Sequence, residues 1–320
     1  MTFDKKRLAA IDIGSNAIRM VIAEFSPKGL VALRKYRIPI RLGADVFEKG
    51  KISGKNLKMA ARAFHKFQEI AEKSKVTRIR AVGTSALREA KNGKAFIELI
   101  MRKSNIRIDV IDGVEEARLI HLAVAKELHL ESHHSLLIDI GGGSVELTFS
   151  DDGLMSATQS FPFGTVRTLD RMKKRNLSET QLSLIVGEYI TPLSHFIHSH
   201  ANDRPVEFAI GTGGNLEALG KLKSPILKKQ SKSSLTFTEL SDIIEYLKLL
   251  TVKERIERLE MRPDRADVIL PAALVVQAVM RQAGLQKILV PYVGLKDGLL
   301  WSLVQNPSRE MNPSPAADES

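Results

Sequence analysis

IDIGSNAIRMVIAEF begins at Ile11, and IDIGGGSVELTFSDD begins at Ile138. Each copy runs an apolar strand into Asp and Gly, then continues as a second strand alternating toward a core. One copy alone reads as a buried strand entering a turn, whereas two copies point to a duplicated unit. Glycine at such a turn lets the backbone approach a ligand closely, and its N–H groups can cradle phosphate oxygens. The aspartates at the two strand ends, Asp12 and Asp139, are placed to hold a divalent cation, directly or through water. Two such hairpins gripping one phosphate chain from both sides give the repetition a functional reason.

Around these copies the apolar periodicity alternates between strand and helix. Strands are expected at 7–12, 17–25, 29–37, 78–83, 106–111, 135–140, 144–149, 153–160, 206–211 and 287–292. Helices are expected at 55–74, 86–103, 114–128, 166–174, 179–199, 215–222, 237–250, 264–283 and 295–304. Ser178 with Gln181 and Thr236 with Glu239 have the spacing of capping boxes. Three strands followed by alternating helix and strand, occurring twice, predict two related α/β domains. The expected division is 1–124, 125–305 and a disordered tail, 306–320, whose NPSREMNPSPAADES has three prolines and little to bury.

The chain has 320 residues, enough for two domains with cores of their own. It contains no cysteine, which excludes a disulfide framework, thiolate zinc sites and a cysteine nucleophile, and accords with a reducing cytoplasm. The most apolar late run, Val268 to Met280, holds Pro271 and Gln277 and is too short to span a bilayer, so no membrane association is expected. Lys and Arg number 48 against 37 Asp and Glu, a net charge of +11 that favours polyanionic partners. Basic clusters lie at RMKKR (171–175) and KLKSPILKKQSK (221–232). Aromatic residues are only 5% and do not interleave with these clusters, so a base-stacking platform for nucleic acid is not expected. HFIHSH (195–200) has no neighbouring cysteine and sits at a helix end, which argues against zinc.

With a third glycine turn, AIGTGGN (209–215), the paired hairpins resemble the actin/Hsp70/sugar-kinase superfamily. Within it the chain is similar to the exopolyphosphatase / guanosine pentaphosphate phosphohydrolase (Ppx/GppA) family. The matching blocks are IDIGSNAIRMVIAE, RLGADVFEKGKIS, VGTSALREAKN, DGVEEARLI, IDIGGGSVEL, SFPFGTVRTL, AIGTGGNLEAL, RADVILPAAL and GLKDGLL, in family order. The resemblance implies two duplicated actin-like (ribonuclease H-like) domains with an active site in the interdomain cleft, and a homodimer. It implies Mg²⁺-dependent hydrolysis of a terminal phosphoanhydride, with Mn²⁺ equally suited to carboxylate and phosphate oxygens. The expected substrate is inorganic polyphosphate, and the alternative is the 5′-phosphate of guanosine pentaphosphate (pppGpp), giving the tetraphosphate.

Carried over by motif, Glu116 is the general base for the attacking water, and Arg88 contacts a phosphate near the reacting end. Asp139 helps hold the metal with Glu146 beside it, and Asp12 answers it from the other domain. Gly14, Ser15, Asn16, Gly141, Gly142, Gly143 and Ser144 offer donors to phosphates, joined by Gly211, Gly213 and Gly214 of the third turn. A metal, a guanidinium and a carboxylate suffice for phosphoanhydride hydrolysis, which needs charge neutralisation and a positioned water. The chain departs from the pattern at Asp112-Gly113 before the Glu pair, at Asn215, and at Lys296-Asp297. Rivals are a kinase or ATPase of the same superfamily, which has no use for the VEEAR base, and a sensor that binds polyphosphate or alarmone without turnover. No G-x-S-x-G elbow or Walker A loop is present.

Overall fold

The computed structural model describes residues 6–201 and 204–306. The chain forms two compact units, Met1–Ala123 with Leu295–Ser320, and Val124–Gly294. In the first, β1 (Lys6–Ile13) pairs antiparallel with β2 (Ile18–Ser26), and β2 with β3 (Gly29–Ile38). After α1 (Leu42–Lys49) and α2 (Gly54–Lys73), β4 (Arg78–Gly83) returns parallel to β1. Then come α3 (Ser85–Glu89), α4 (Gly93–Ser104), β5 (Ile108–Val110) parallel to β4, and α5 (Gly113–Glu127), within which the division between units falls. The strand order is β3-β2-β1-β4-β5. Lying mid-sheet, β1 is buried on both faces, which is why its sequence is a near-continuous apolar run. One face carries Ala9, Ile11, Ile13, Ile18, Met20 and Ile22 against Phe64 and Phe67 of α2.

The second unit repeats this plan. β6 (His134–Ile140), β7 (Val145–Asp151) and β8 (Leu154–Phe161) form an antiparallel meander, followed by α6 (Thr165–Lys174) and α7 (Leu182–His200). β9 (Phe208–Thr212) pairs parallel with β6, and α8 (Gly213–Leu227) leads to β10 (Ser234–Thr236). Helices α9 (Phe237–Lys248), α10 (Val252–Leu259), α11 (Pro263–Ala266) and α12 (Ile269–Gln282) precede β11 (Lys287–Leu289), which is parallel to β9. The order β8-β7-β6-β9-β11 reproduces that of the first sheet, with β10 added at the edge. The fold is α/β with two duplicated actin-like domains.

Three expectations are corrected by local chemistry. The helix expected over 86–103 is two, α3 and α4, because the chain turns extended at Ala90 and restarts at Gly93. The helix expected over 264–283 likewise divides into α11 and α12. The last helix, α13 (Leu295–Gln305), was expected in the second domain but packs on β1, β2 and β4 of the first unit. Gly298 permits this approach, since a Cβ there would lie 1.9 Å from the Leu119 carbonyl oxygen of α5. Arg80 donates to Ser302 Oγ and Arg78 to the Leu303 carbonyl, fixing the helix to β4. The expected tail lies outside the described residues from 307 onward. No helix among the described residues is long and apolar enough to cross a membrane.

Both expected capping pairs form, and that of Thr236 and Glu239 extends into a buried ionic cluster. Lys223, 5% exposed, donates to the Ser234 carbonyl and to Glu239 Oε2, each at 2.8 Å, while Lys229 reaches Glu239 Oε1 at 2.8 Å. Burial pushes the Glu239 carboxyl up, but the hydrogen bonds from Lys223, Lys229 and the Thr236 N–H outweigh it and hold the group at about 2. Because the unfolded carboxyl titrates near 4.5, this contributes stability above pH 4.5 that is lost as the pH falls toward 2. Glu239→Gln is expected to lower the melting temperature at pH 7 and to flatten the loss of stability between pH 4.5 and 2. Circular dichroism melts across that range measure both effects.

Candidate active site

The two IDIG hairpins close in the same way. Gly14 N–H donates to the Ala17 carbonyl at 3.1 Å, and Gly141 N–H to the Ser144 carbonyl at 3.0 Å. Behind each turn stands the amino end of the helix that follows the meander. In the first unit Gly43 N–H of α1 takes the Ser15 carbonyl at 2.9 Å. In the second, Thr165 N–H takes the Gly141 carbonyl at 3.1 Å, and the N–H groups of Val166 and Arg167 share the Gly142 carbonyl at 2.8 and 3.1 Å. A trans peptide directs its N–H opposite to its C=O, and no peptide bond here is cis. Helix α6 therefore turns the N–H groups of Gly142 and Gly143 to the side away from itself. Aligned backbone donors of this kind form an anion cradle.

Both contacts require glycine at the amino end of the helix, Gly43 within α1 and Gly164 just before α6. A Cβ on Gly164 would lie 2.3 Å from Gly143 N, and one on Gly43 would lie 2.8 Å from Ser15 Cβ. Neither Gly43 nor Gly164 was marked as functional by the sequence, although both stand in matching blocks, RLGADV and PFGTVR.

In the first unit, Asp12 ends β1 beside its register partner Arg19 on β2, whose Nη1 it meets at 3.0 Å. Its charge is thus already answered by a guanidinium. Ser15 and Ser85 share a hydrogen bond at 2.9 Å, tying the turn to the start of α3, and Asn16 Oδ1 accepts from Arg41 Nε at 2.8 Å. Arg88, on α3, donates to the Ile111 carbonyl at 2.6 Å, just before the helix that carries the glutamate pair. Asp112 caps that helix by accepting from Glu115 N–H at 2.8 Å, which accounts for a carboxylate at this departure from the pattern.

Two adjacent glutamates open α5 and differ sharply. Glu115 is bound by Arg118 at 2.6 Å and by Arg80 at 3.3 Å. The hydrogen bond from Arg118 is the largest cause holding its carboxyl below the ordinary value, with Arg80 adding to it against the opposing effect of burial. Such a carboxylate is a poor proton acceptor. Glu116 lies outside that ion pair and is 8% exposed.

In the second unit Asp139 and Glu146 are register partners at the head of the β6–β7 hairpin, with carboxylate oxygens within 4.8 Å of each other. Thr212 Oγ1 donates to Asp139 Oδ1 at 2.6 Å, and Ser160 Oγ to Glu146 Oε1 at 2.7 Å. Gly213, at φ +79°, leaves the space in which a Cβ would stand 2.8 Å from Asp139 Oδ1. The pair offers hard oxygen donors, oriented by hydroxyls and flanked by a glycine cradle, and so fits Mg²⁺ or Mn²⁺. Gly214 lies in the first turn of α8. Gly211 stands apart from these glycines: it lies within β9, where a Cβ would meet Ile288 and Leu216 at 2.8 Å. Asn215, the second departure, donates to the Ile140 carbonyl at 2.7 Å and accepts from buried Arg265, steadying the strand end before Gly141. Lys296 and Asp297, the third departure, pair with each other at 2.8 Å.

A model of the Ppx/GppA phosphatase family matches residues 21–307. Exopolyphosphatase 1 of Mycobacterium leprae is 24% identical over 299 residues, which cover 92% of this chain and 88% of the relative. Among solved structures, an exopolyphosphatase from Cytophaga hutchinsonii has a TM-score of 0.85 at 26% identity over 94% of this chain and 98% of its own. The Aquifex aeolicus member of the Ppx/GppA family has a TM-score of 0.79 at 25% identity over 96% and 100%.

Gly164→Ala is expected to displace the Gly141–Ser144 turn, because the new methyl group meets backbone rather than a movable side chain. Amide hydrogen exchange should become faster at residues 141–144 than in the wild type, with β6 and β7 protected as before.

Proposed function

The chain belongs to the Ppx/GppA phosphatase family, and on that premise we propose that it hydrolyses terminal phosphoanhydrides with the help of a divalent cation. The first substrate is inorganic polyphosphate, from whose end orthophosphate is released. The observation that carries this reading is the pair of like turns, Gly14–Ala17 and Gly141–Ser144, each closed by the same backbone bond and backed by a helix amino end. Their donors suit phosphoryl oxygens, and the +11 net charge draws a polyanion toward them.

Asp139 and Glu146 would hold Mg²⁺, which when bound neutralises charge on the phosphoryl oxygens. Thr212 and Ser160 keep those two carboxylates in place. Arg88, anchored on Ile111, supplies positive charge to the group being transferred. Glu116 accepts a proton from the attacking water as its oxygen bonds to the terminal phosphorus. The bridging P–O bond then breaks, and its electron pair leaves with the shortened chain. Glu115, held as a carboxylate by two arginines, braces the first turn of α5 instead. The protein is taken to act as a cytoplasmic homodimer, in keeping with the resemblance and the lack of cysteine. The 5′-phosphate of pppGpp offers the same terminal anhydride and is the second substrate to test.

Orthophosphate release from long-chain polyphosphate and from pppGpp, side by side with Mg²⁺, tests the reading. Glu116→Gln is expected to slow the better substrate about 10²–10⁴-fold while leaving its binding intact. Tight binding of either substrate with no release by the wild type would replace the hydrolase with a sensor. Thr212→Val removes a hydroxyl that orients Asp139 and is expected to weaken Mn²⁺ binding about 10–100-fold, as measured by electron paramagnetic resonance titration.

A further inference from the structure

Helix α6 grips the glycine turn of the second unit with more than backbone. Arg167, in its first turn, directs Nε at the Gly143 carbonyl oxygen, 2.9 Å away. That carbonyl belongs to the peptide whose N–H is on Ser144, and the trans geometry sets the N–H opposite to the arginine. The carbonyls of Gly141, Gly142 and Gly143 are thus all held from one side, the first two by backbone N–H groups and the third by a guanidinium. Three consecutive glycines have no side chains to restrict their φ and ψ, and the guanidinium of Arg167 adds a bond on the carbonyl of the third peptide itself.

The first unit carries a related contact, made to a side chain rather than to a peptide. Arg41, immediately before α1, directs Nε at Asn16 Oδ1, 2.8 Å away, while Gly43 N–H takes the Ser15 carbonyl. In both turns the third residue after the aspartate-led Ile is addressed by an arginine Nε: Asn16 by Arg41, and Gly143 by Arg167. A lysine ammonium can reach a carbonyl, as Lys223 does at Ser234, but it is a mobile point charge and does not hold its donor in the fixed plane of a guanidinium.

We propose that Arg167 is a positioning residue that sets the direction of the Ser144 N–H, and with it the third donor of the phosphate cradle. It acts through the Gly143 peptide rather than by contact with the reacting atoms. That the cradle receives a phosphate chain rests on the function proposed above.

Tripolyphosphate binding followed by calorimetry tests the assignment independently of turnover, using wild type, Arg167→Ala and Arg167→Lys, each with and without millimolar guanidinium. Arg167→Ala is expected to bind at least about tenfold more weakly, the scale of a lost hydrogen bond to a charged group. Added guanidinium should recover much of that loss, and Arg167→Lys, though it keeps the charge, should remain weak. Unchanged binding in Arg167→Ala would overturn the proposal. So would full recovery by lysine, which would make charge alone the cause, or a loss that guanidinium leaves untouched. Phosphate release by the wild type, run in parallel, decides the function separately: a silent enzyme that still shows guanidinium-dependent binding keeps the clamp and loses the hydrolase.

Discussion

The organisation of each unit depends on how the turn that follows its Ile-Asp-Ile strand end is made to hold one shape. The answer lies behind the turn rather than in it. The amino end of a helix has N–H groups with no partner inside the helix, and the turn has carbonyls in need of donors. Joining the two satisfies both and, because peptides are planar, presents the opposite N–H groups as a set. The meander, the returning helix and the glycines at Gly43 and Gly164 all serve that close approach.

The same economy separates groups that look alike in the sequence. Glu115 and Glu116 are neighbours of one type, yet two arginines claim the first and hold it charged. Asp12 and Asp139 occupy equivalent strand ends, but Asp12 faces a guanidinium across the hairpin and Asp139 a hydroxyl from β9. The duplication supplies two frames of one design, and the side chains opposite each aspartate then give the frames different chemistry.

Much of this was legible in the residues because the decisive signals are periodic or repeated. The two IDIG copies predict two related α/β domains, whose sheets share one strand order, and the apolar alternation finds all but one of the described strands, missing the three-residue β10. What escaped was set by tertiary context. In α10, VKERIERL, five of eight residues are charged, and the helix is held by Arg255, fully buried on Glu179 and on the carbonyls of Leu247 and Ala266. In α1 only Leu42 and Val46 supply a buried apolar spacing, too short a pattern to stand out. The roles of Thr212, Ser160 and Arg167 depend on which strand or helix returns beside the turn, and spacing along the chain does not encode that.

The return of α13 to the first unit has a bearing on biosynthesis. Val124–Gly294 is one uninterrupted stretch, whereas the other unit needs Leu295–Gln305 to cover β1, β2 and β4. On a ribosome, the later-encoded unit therefore has its whole chain available first. The unit begun first lacks the helix that packs on β1, β2 and β4 until Leu295–Gln305 emerges. The order of completion reverses the order of synthesis, and a lesion in Leu295–Gln305 is felt in the unit that carries β1, β2 and β4.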